Sequence, residues 1–296
     1  MLSVLIRTYN DSVIEIVSEI DQQCQQLDLN YEILISDDDP SGKNVNEQKL
    51  KHFETVSYWK NTSNLGRSNN LNKLIDAAKF DYVLCLDNDV IPLRTDFIRN
   101  YKQSIDEGCD VVYGGLTYDD NLPEESKRLR WIYGHQKEAK SIKIRKKELQ
   151  YHVLVSNLLL RKSAFSFPIF DPELTSYGYE DLIFSEELKK KRLMVCQIDN
   201  PVIHKGLETS KVFIEKTELA LKNLRQLIQK NKVSNQSTPL TRLYYKMKSN
   251  ISLQLFLASF APFKNIIKNH LLSKQPRMFW FDIYKLYYFA KYTSKK

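Results

Sequence analysis

Tyr82-Val83-Leu84-Cys85-Leu86-Asp87-Asn88-Asp89 is the stretch on which the fold turns. A continuous apolar run stops abruptly at two carboxylates two residues apart. An apolar run without alternation predicts a strand covered on both faces, as in a parallel sheet. In extended chain, residues two apart point to one side, so Asp87 and Asp89 are expected to share the strand end. There they could hold a divalent ion, Mg2+ or Mn2+, by hard oxygen ligands. Such an ion neutralises a diphosphate leaving group as its bond breaks. The plainer alternative is a polar turn that closes a strand.

The pattern repeats outward from there. Leu2 to Ile6 is an aliphatic run ending in Arg7-Thr8-Tyr9-Asn10, and Tyr31 to Ile35 ends in Asp37-Asp38-Asp39-Pro40. Val56 to Trp59 reads as a further strand. Between them, Val13 to Leu27 and Ser68 to Ala78 read as helices, the first capped by Asp11 or Ser12, the second entered through Asn64-Leu65-Gly66-Arg67. Strands alternating with helices predict βαβ units and a mostly parallel, Rossmann-like α/β sheet with helices on both faces. Ligands bind such sheets at the carboxyl ends of the strands. Three polar clusters, at Thr8–Asn10, Asp37–Asp39 and Asp87–Asp89, should therefore converge on one edge. Asp37 or Asp38 could accept hydrogen bonds from a base or a ribose.

Further along, Asp119 to Lys147 is highly charged and reads as a mobile loop or exposed helix, able to close over a bound ligand. Val153 to Leu160 reads as a strand carrying Ser156-Asn157. Buried polar groups need partners, so Asn157 either faces a substrate or satisfies nearby backbone. Gly178-Tyr179-Glu180-Asp181 opens a helix predicted to run from Gly178 to Lys191. Carboxylates there complement the helix dipole, or a positioned Asp acts as general base toward a hydroxyl, with Gly178 permitting close approach. Met194–Ile198 and Val202-Ile203-His204 read as extended. A lone histidine after an apolar pair is most often structural; beside a carboxylate site it could complete the coordination of a metal. From about Val212 the pattern is helical, interrupted by the polar linker Asn231–Pro239.

Composition agrees with a globular chain. Of 296 residues, 42% are hydrophobic and 27% charged, with 8 Gly and 9 Pro. That excludes a disordered or fibrous protein. From Lys211 to Lys296 there are 17 Lys/Arg against 3 Asp/Glu, a net +14, so the first 210 residues carry 8 − 14 = −6. No C-x-x-C pair is present, so no zinc site is expected. Cys85 and Cys196 lie in apolar runs and read as buried thiols, which suits a reducing compartment. Arg7 interrupts the first apolar run too early for a secretory leader. The longest uncharged apolar stretch, Ser249 to Phe263, contains Pro262 and is too short to span a bilayer.

From Met1 to about Gly206, the ordered set of motifs resembles the family 2 glycosyltransferases with a GT-A fold. Ser3-Val4-Leu5-Ile6-Arg7-Thr8-Tyr9-Asn10 resembles the family's first strand and nucleotide loop. Glu32 to Asp38 is similar to its second strand and acidic pair, Asn64 to Asn72 to its Asn-x-Gly turn and helix, and Asp87-Asn88-Asp89 to its D-x-D metal motif. Glu180-Asp181 is similar to its E-D motif, and His204 to the histidine that joins the metal. The resemblance implies an inverting, metal-dependent transfer from a nucleotide-diphosphate sugar, a UDP-sugar first, to a glycan or lipid-linked glycan. In that scheme Asp87, Asp89 and His204 bind the metal. Thr8, Tyr9, Asn10, Asp37, Asp38, Arg67, Asp87 and Asn88 bind the nucleotide sugar. Asp181, with Glu180, is the base, and Asn157, Gly178 and Tyr179 meet the acceptor. The chain departs from the family at Leu71, where an arginine is common; Arg67 is the candidate substitute.

On this basis residues 1–215 form the GT-A domain and 216–296 a basic, aromatic helical extension. Thr241 to Lys296 holds 13 Phe, Tyr and Trp among its lysines and arginines. An interfacial helix has that composition, so the extension is expected to meet an anionic membrane surface. Nucleic acid is not expected, and the enzyme should sit in the cytoplasm on the inner face of the cytoplasmic membrane. The competing functions are a non-catalytic nucleotide-sugar binder, which need not keep Asp181 and His204, and a nucleotidyltransferase, which would want a Gly-rich loop after the first strand.

Overall fold

The computed structural model describes residues 1–41, 47–148, 150–174, 177–248 and 251–294. Ser249 and Asn250, the start of the long apolar stretch, lie outside them. The described chain falls into two compact units. The first comprises Met1–Asp119, Glu138–Thr175 and Glu180–Gly206; the second comprises Asp120–Lys137, Ser176–Tyr179 and Leu207–Lys296. The expected division at residue 215 falls inside a continuous helix, Ser210–Gln229.

In the first unit the strands are β1 (Leu2–Thr8), β2 (Tyr31–Asp37), β3 (Val56–Lys60), β4 (Tyr82–Asp87), β5 (Val90–Pro92), β6 (Val111–Tyr113), β7 (Leu116–Tyr118), β8 (Asn157–Arg161), β9 (Val195–Gln197) and β10 (Val202–His204). Its helices are α1 (Ile14–Gln26), α2 (Glu47–Leu50), α3 (Arg67–Ala77) and α4 (Phe97–Asp106). After α5 (Arg128–Tyr133), which belongs to the second unit, the first unit adds α6 (Ile142–Glu148) and α7 (Glu180–Lys191). Among the described residues, seven strands form a mixed sheet in the order β3-β2-β1-β4-β8-β6-β9, and three form a small sheet in the order β5-β10-β7. β3, β2, β1 and β4 run parallel, while β8 is antiparallel to both neighbours. Every residue of β1 is buried, as its unbroken apolar run demands.

The strand register delivers the predicted convergence. Thr8 on β1 pairs with Asp37 on β2, and Arg7 pairs with Asp87 on β4. The three polar ends therefore lie side by side, at the point where the strand order reverses around β1.

Several local expectations are corrected. α1 begins after Val13, whose aliphatic side chain cannot cap it; Asp11 lies two residues further back, its N–H and carbonyl bonded to the Thr8 hydroxyl. The strand expected from Val153 begins only at Asn157, after a turn in which the Asn157 N–H donates to the Leu154 carbonyl at 3.4 Å. α7 begins at Glu180, because Gly178 and Tyr179 both have positive φ, 90° and 71°, outside the helical region. Asp119–Lys147 starts as exposed loop and then holds α5 and α6; α6 is mostly exposed, but Leu129, Arg130 and Arg145 are buried anchors. The Arg145 guanidinium donates to the carbonyls of Tyr113, Gly114 and Ile198 and to Gln197 Oε1, which staples α6 to β6 and β9. Cys196 is not a thiol; it is disulfide-bonded to Cys109, with their Cα atoms 6.3 Å apart on neighbouring chain segments. Cys24 and Cys85 are the buried free thiols among the described residues.

The second unit is helical: α5, then α8 (Ser210–Gln229), α9 (Pro239–Lys248), α10 (Ser252–Phe260), α11 (Lys264–Leu271) and α12 (Met278–Ser294). Phe281 and Tyr284 of α12, Ile214 of α8, Leu271 of α11 and Leu129 of α5 are all buried in one cluster. The polar stretch Asn231–Pro239 joins α8 to α9 inside this unit. No helix among the described residues is long and apolar enough to cross a membrane.

Candidate active site

Arg7 is the first surprise. It sits in the buried central strand and donates from Nε to Asp87 Oδ1 at 2.7 Å. A buried guanidinium needs a counter-charge, and the register supplies it. Burial alone would raise the Asp87 carboxyl; the charges of Arg7 and then Arg67 outweigh it and hold Asp87 below the usual carboxylate range.

Asp87 closes β4, Asn88-Asp89 form a turn, and Val90 starts β5. The two carboxylates therefore lie across a turn and not along an extended strand. β5 then pairs antiparallel with β10, so His204 stands opposite Val90. That brings His204 Nε2 to 3.5 Å from Asp89 Oδ2, although the two are far apart in sequence. The Lys205 N–H donates to the Asp89 carbonyl at 2.7 Å. The imidazole stacks on Tyr118 of β7, ring centroids 5.4 Å apart, and its Nδ1 is buried without a hydrogen-bond partner. Gly206 completes the cradle: a Cβ there would lie 2.1 Å from Asp89 Oδ2. Burial, with the charge of Asp87, pushes the Asp89 carboxyl up against the pull of His204.

Asp89 and His204 fit a divalent ion by chemistry, one hard oxygen donor and one imidazole. Among the described residues no three His, Cys, Asp or Glu side chains form a cage by themselves. Mg2+-type sites commonly use one or two carboxylates, with substrate phosphate and water completing the shell. The donor set present is therefore compatible with such an ion.

On α7, Glu180 is buried and accepts from Arg67 Nη1 at 2.6 Å. Burial works against its ionisation, but Arg67 and Arg7 keep its carboxyl below the usual range. Its neighbour moves the opposite way. Burial, followed by repulsion from Glu180, pushes the Asp181 carboxyl up to about 7. Asp181 Oδ1 accepts the Val155 N–H at 2.9 Å. Adjacent carboxylates in different surroundings thus shift in opposite directions, Glu180 down beside Arg67 and Asp181 up to about 7.

The remaining predicted residues divide sharply. Tyr9 is 53% exposed and offers a free ring face at the end of β1. Thr8 is spent on the Asp11 backbone, and Asn88 Nδ2 reaches Asp11 Oδ2 at 3.4 Å. The Asn10 N–H donates to Asp37 Oδ1. Asp37 also accepts from the Asp39 N–H and the Tyr58 hydroxyl. Asp38 accepts from the Leu65 and Gly66 N–H groups and from Asn61 Nδ2, at 2.8 to 3.0 Å. Both carboxylates are buried and hold backbone loops. Asn157 is 0% exposed. Its amide donates to the Gly115 and Asn200 carbonyls and accepts from the Tyr101 hydroxyl. It faces the core and not an acceptor. Gly178 and Tyr179 belong to the second unit, where the Gly178 carbonyl accepts from Asn223 of α8 at 2.8 Å.

Two positions that build this cluster escaped sequence reasoning, Arg7 and Gly206. The signal for Arg7 was present: one cation inside a run otherwise destined for burial. Nothing in sequence marked Gly206, whose importance is its distance to Asp89.

Comparison with known proteins identifies the family and the fold. Glycosyl transferase family 2 matches residues 3–166. An uncharacterized glycosyltransferase of Methanocaldococcus jannaschii is 25% identical over 172 residues, which spans 55% of this chain and 58% of that protein. The chain therefore covers less than two thirds of that relative's length. Among solved structures, the mannosyltransferase PcManGT from Pyrobaculum calidifontis, in complex with GDP-Man and Mn2+, superposes with a TM-score of 0.61 at 14% identity, covering 100% of this chain and 88% of that one. Mannosyl-3-phosphoglycerate synthase from Rubrobacter xylanophilus superposes with a TM-score of 0.51 at 16% identity, covering 79% and 76%. These likenesses establish the GT-A-like fold with a C-terminal helical region. The family match covers more than half of the chain, and the chain belongs to glycosyl transferase family 2.

Proposed function

We propose, from that membership, that the protein transfers a sugar from a nucleotide-diphosphate donor, a UDP-hexose first, to a hydroxyl of a glycan or lipid-linked glycan. The observation that carries this reading is the split pair on α7: Glu180 locked to Arg67, Asp181 shifted toward neutrality beside it.

In the reaction, an oxygen of the acceptor attacks the anomeric carbon from the face opposite the diphosphate. The carbon–oxygen bond to phosphate breaks, nucleoside diphosphate leaves, and the anomeric centre inverts. Asp181 takes the hydroxyl proton as the new bond forms. Its raised pKa makes it a stronger base than an ordinary aspartate, yet still ionised above neutral pH. The guanidinium of Arg67 is half exposed beyond its Glu180 contact and can donate to the diphosphate. Glu180 positions that guanidinium. Tyr9 offers its ring to the base; Thr8, Asn10, Asp37 and Asp38 shape the loops around it. Asp89 and His204, with Asp87 beside them, would hold Mg2+ or Mn2+, which when bound neutralises charge on the departing diphosphate.

The test is calorimetric titration of UDP, with GDP and CDP as controls, with and without Mn2+, into wild type and Asp89→Ala. Metal-dependent binding of one nucleotide that weakens at least tenfold in the variant is the expected result. No nucleotide binding by folded wild-type protein would reject the reading.

A further inference from the structure

The second unit contains a feature that donor chemistry does not use. α10, the turn Ala261–Phe263, α11 and the start of α12 surround a cavity of about 620 Å3. Phe256, Phe260, Phe263, Ile267, Trp280 and Ile283 line it, with Ser259 and His270 among the few polar residues of its wall. His270 is engaged, since its Nε2 accepts the Arg277 N–H at 3.3 Å. Such a lining has little to orient a sugar or a nucleotide, which require several convergent polar groups. It suits a hydrocarbon chain.

The rim carries two further signals. Phe263 and Ile266 are 55% and 65% exposed, although both are large and apolar. On α11 the groove-lining positions 266, 267 and 270 recur with helical spacing, while Lys264 and Lys268, four residues apart, stand on another side of the same helix. From Ile251 to Phe281 the sequence has four Lys/Arg and no Asp or Glu. One of the four, Lys274, pairs with Glu125 at 2.9 Å. The surroundings of the groove are thus complementary to an anion attached to an apolar chain. Apolar tips beside cations are how a surface helix binds an anionic leaflet.

We propose that this groove seats an acyl chain of an anionic membrane phospholipid, with the acid-free, cationic segment around it, Lys264 and Lys268 included, drawing the unit to the anionic leaflet. The second unit would thereby dock on the membrane by insertion at the α10–α11 corner. This gives the basic, aromatic extension a defined contact in place of a diffuse attraction.

The experiment uses the full chain and sedimentation with vesicles of phosphatidylcholine, alone or with roughly a third phosphatidylglycerol. Wild type is expected to bind the anionic vesicles and not the neutral ones. Ile266→Asp, at an exposed position that the fold tolerates, and the double variant Lys264→Glu/Lys268→Glu are each expected to weaken binding at least tenfold. Brominated acyl chains should quench tryptophan fluorescence in wild type, and Trp280→Phe should remove that quenching. Circular dichroism and calorimetric nucleotide titration on each variant report folding and donor binding separately, so failure here is distinct from failure of the transferase reading. The proposal is overturned if wild type does not bind anionic vesicles. It is equally overturned if Ile266→Asp binds as well as wild type, or if Trp280 stays unquenched while the protein is bound, which would mean attraction by surface charge alone. Self-association that covers Trp280 in the absence of lipid would assign the groove to a second copy of the chain.

Discussion

At the end of β4 nearly every charged group has a named partner: Arg7 with Asp87, Arg67 with Glu180, His204 beside Asp89. In the helical unit around α11, large apolar side chains such as Phe263 and Ile266 face solvent. The first arrangement holds charges in place by opposing them, and leaves one carboxylate, Asp181, raised to about 7 by burial and by its neighbour Glu180. The second leaves apolar surface uncovered at a cost of about 25 cal/mol per Å2. Both depart from what stability alone would choose, and the two proposals rest on these departures: a charged donor in the first unit, an apolar chain in the second.

The contrast breaks most visibly at Asp181. Asp181→Asn is expected to lower turnover by about 10²–10⁴-fold while nucleotide affinity stays within about twofold. A variant that keeps full transfer activity would leave the α7 pair without a catalytic role. The next largest effect concerns stability. Arg7→Leu strands Asp87 as a buried carboxylate without its counter-charge, which should cost about 3–5 kcal/mol at pH 7 by denaturant unfolding. The loss should shrink toward pH 4, where Asp87 can protonate once Arg7 no longer depresses its carboxyl. Equal losses at both pH values would mean that Arg7 acts by packing alone.

Gly206→Ala sharpens the comparison at smaller scale. Its methyl group would sit within bonding distance of the Asp89 carboxylate, so Asp89 must move. Metal-dependent nucleotide affinity should fall roughly tenfold, with metal-independent affinity unchanged. The smallest effect is one of sign. Folded Asp181 keeps its proton up to about pH 7, against an ordinary value of 3.8. Between those values the native state holds a proton that the unfolded chain has released, so stability falls as pH rises through the folded pKa. Asp181→Asn removes that penalty. Its melting temperature should exceed wild type at pH 8 and match it at pH 4. The same ionisation predicts that kcat/KM climbs with pH through about 7. A flat profile from pH 6 to 8 would move the base assignment away from Asp181.

Much of the architecture was legible. β1, β2 and β4 were readable because residues buried on both faces must be apolar without interruption, and that constraint is local. The polar ends were readable for the same reason: a strand can afford Asp37 or Asp87 only where it leaves the core. The role of each end was not. Asp37 and Asp38 look like ligand-binding carboxylates in sequence, yet they hold Asn10, Leu65 and Gly66 by their backbones. Asn157 could be read as a substrate contact or as a partner for nearby backbone, and it bridges Gly115, Asn200 and Tyr101 in the core. Hydrogen-bond acceptors have the same formula whether they meet a loop or a ligand, and only the positions of the donors separate the cases.

The sequence by itself determined the strand and helix types, the order of the motifs, the family, and the basic, aromatic character of the C-terminal helices. These follow from periodicity, residue chemistry and charge, which are properties of neighbours along the chain. Tertiary structure decided that Arg7 neutralises Asp87, that Glu180 serves Arg67 while Asp181 stays poised, that Cys109 and Cys196 join, and that α10, α11 and α12 leave an apolar groove. Each of these depends on register and packing between residues distant in sequence. Electrostatic and dispersion forces act through space, and the linear order of residues does not record those distances.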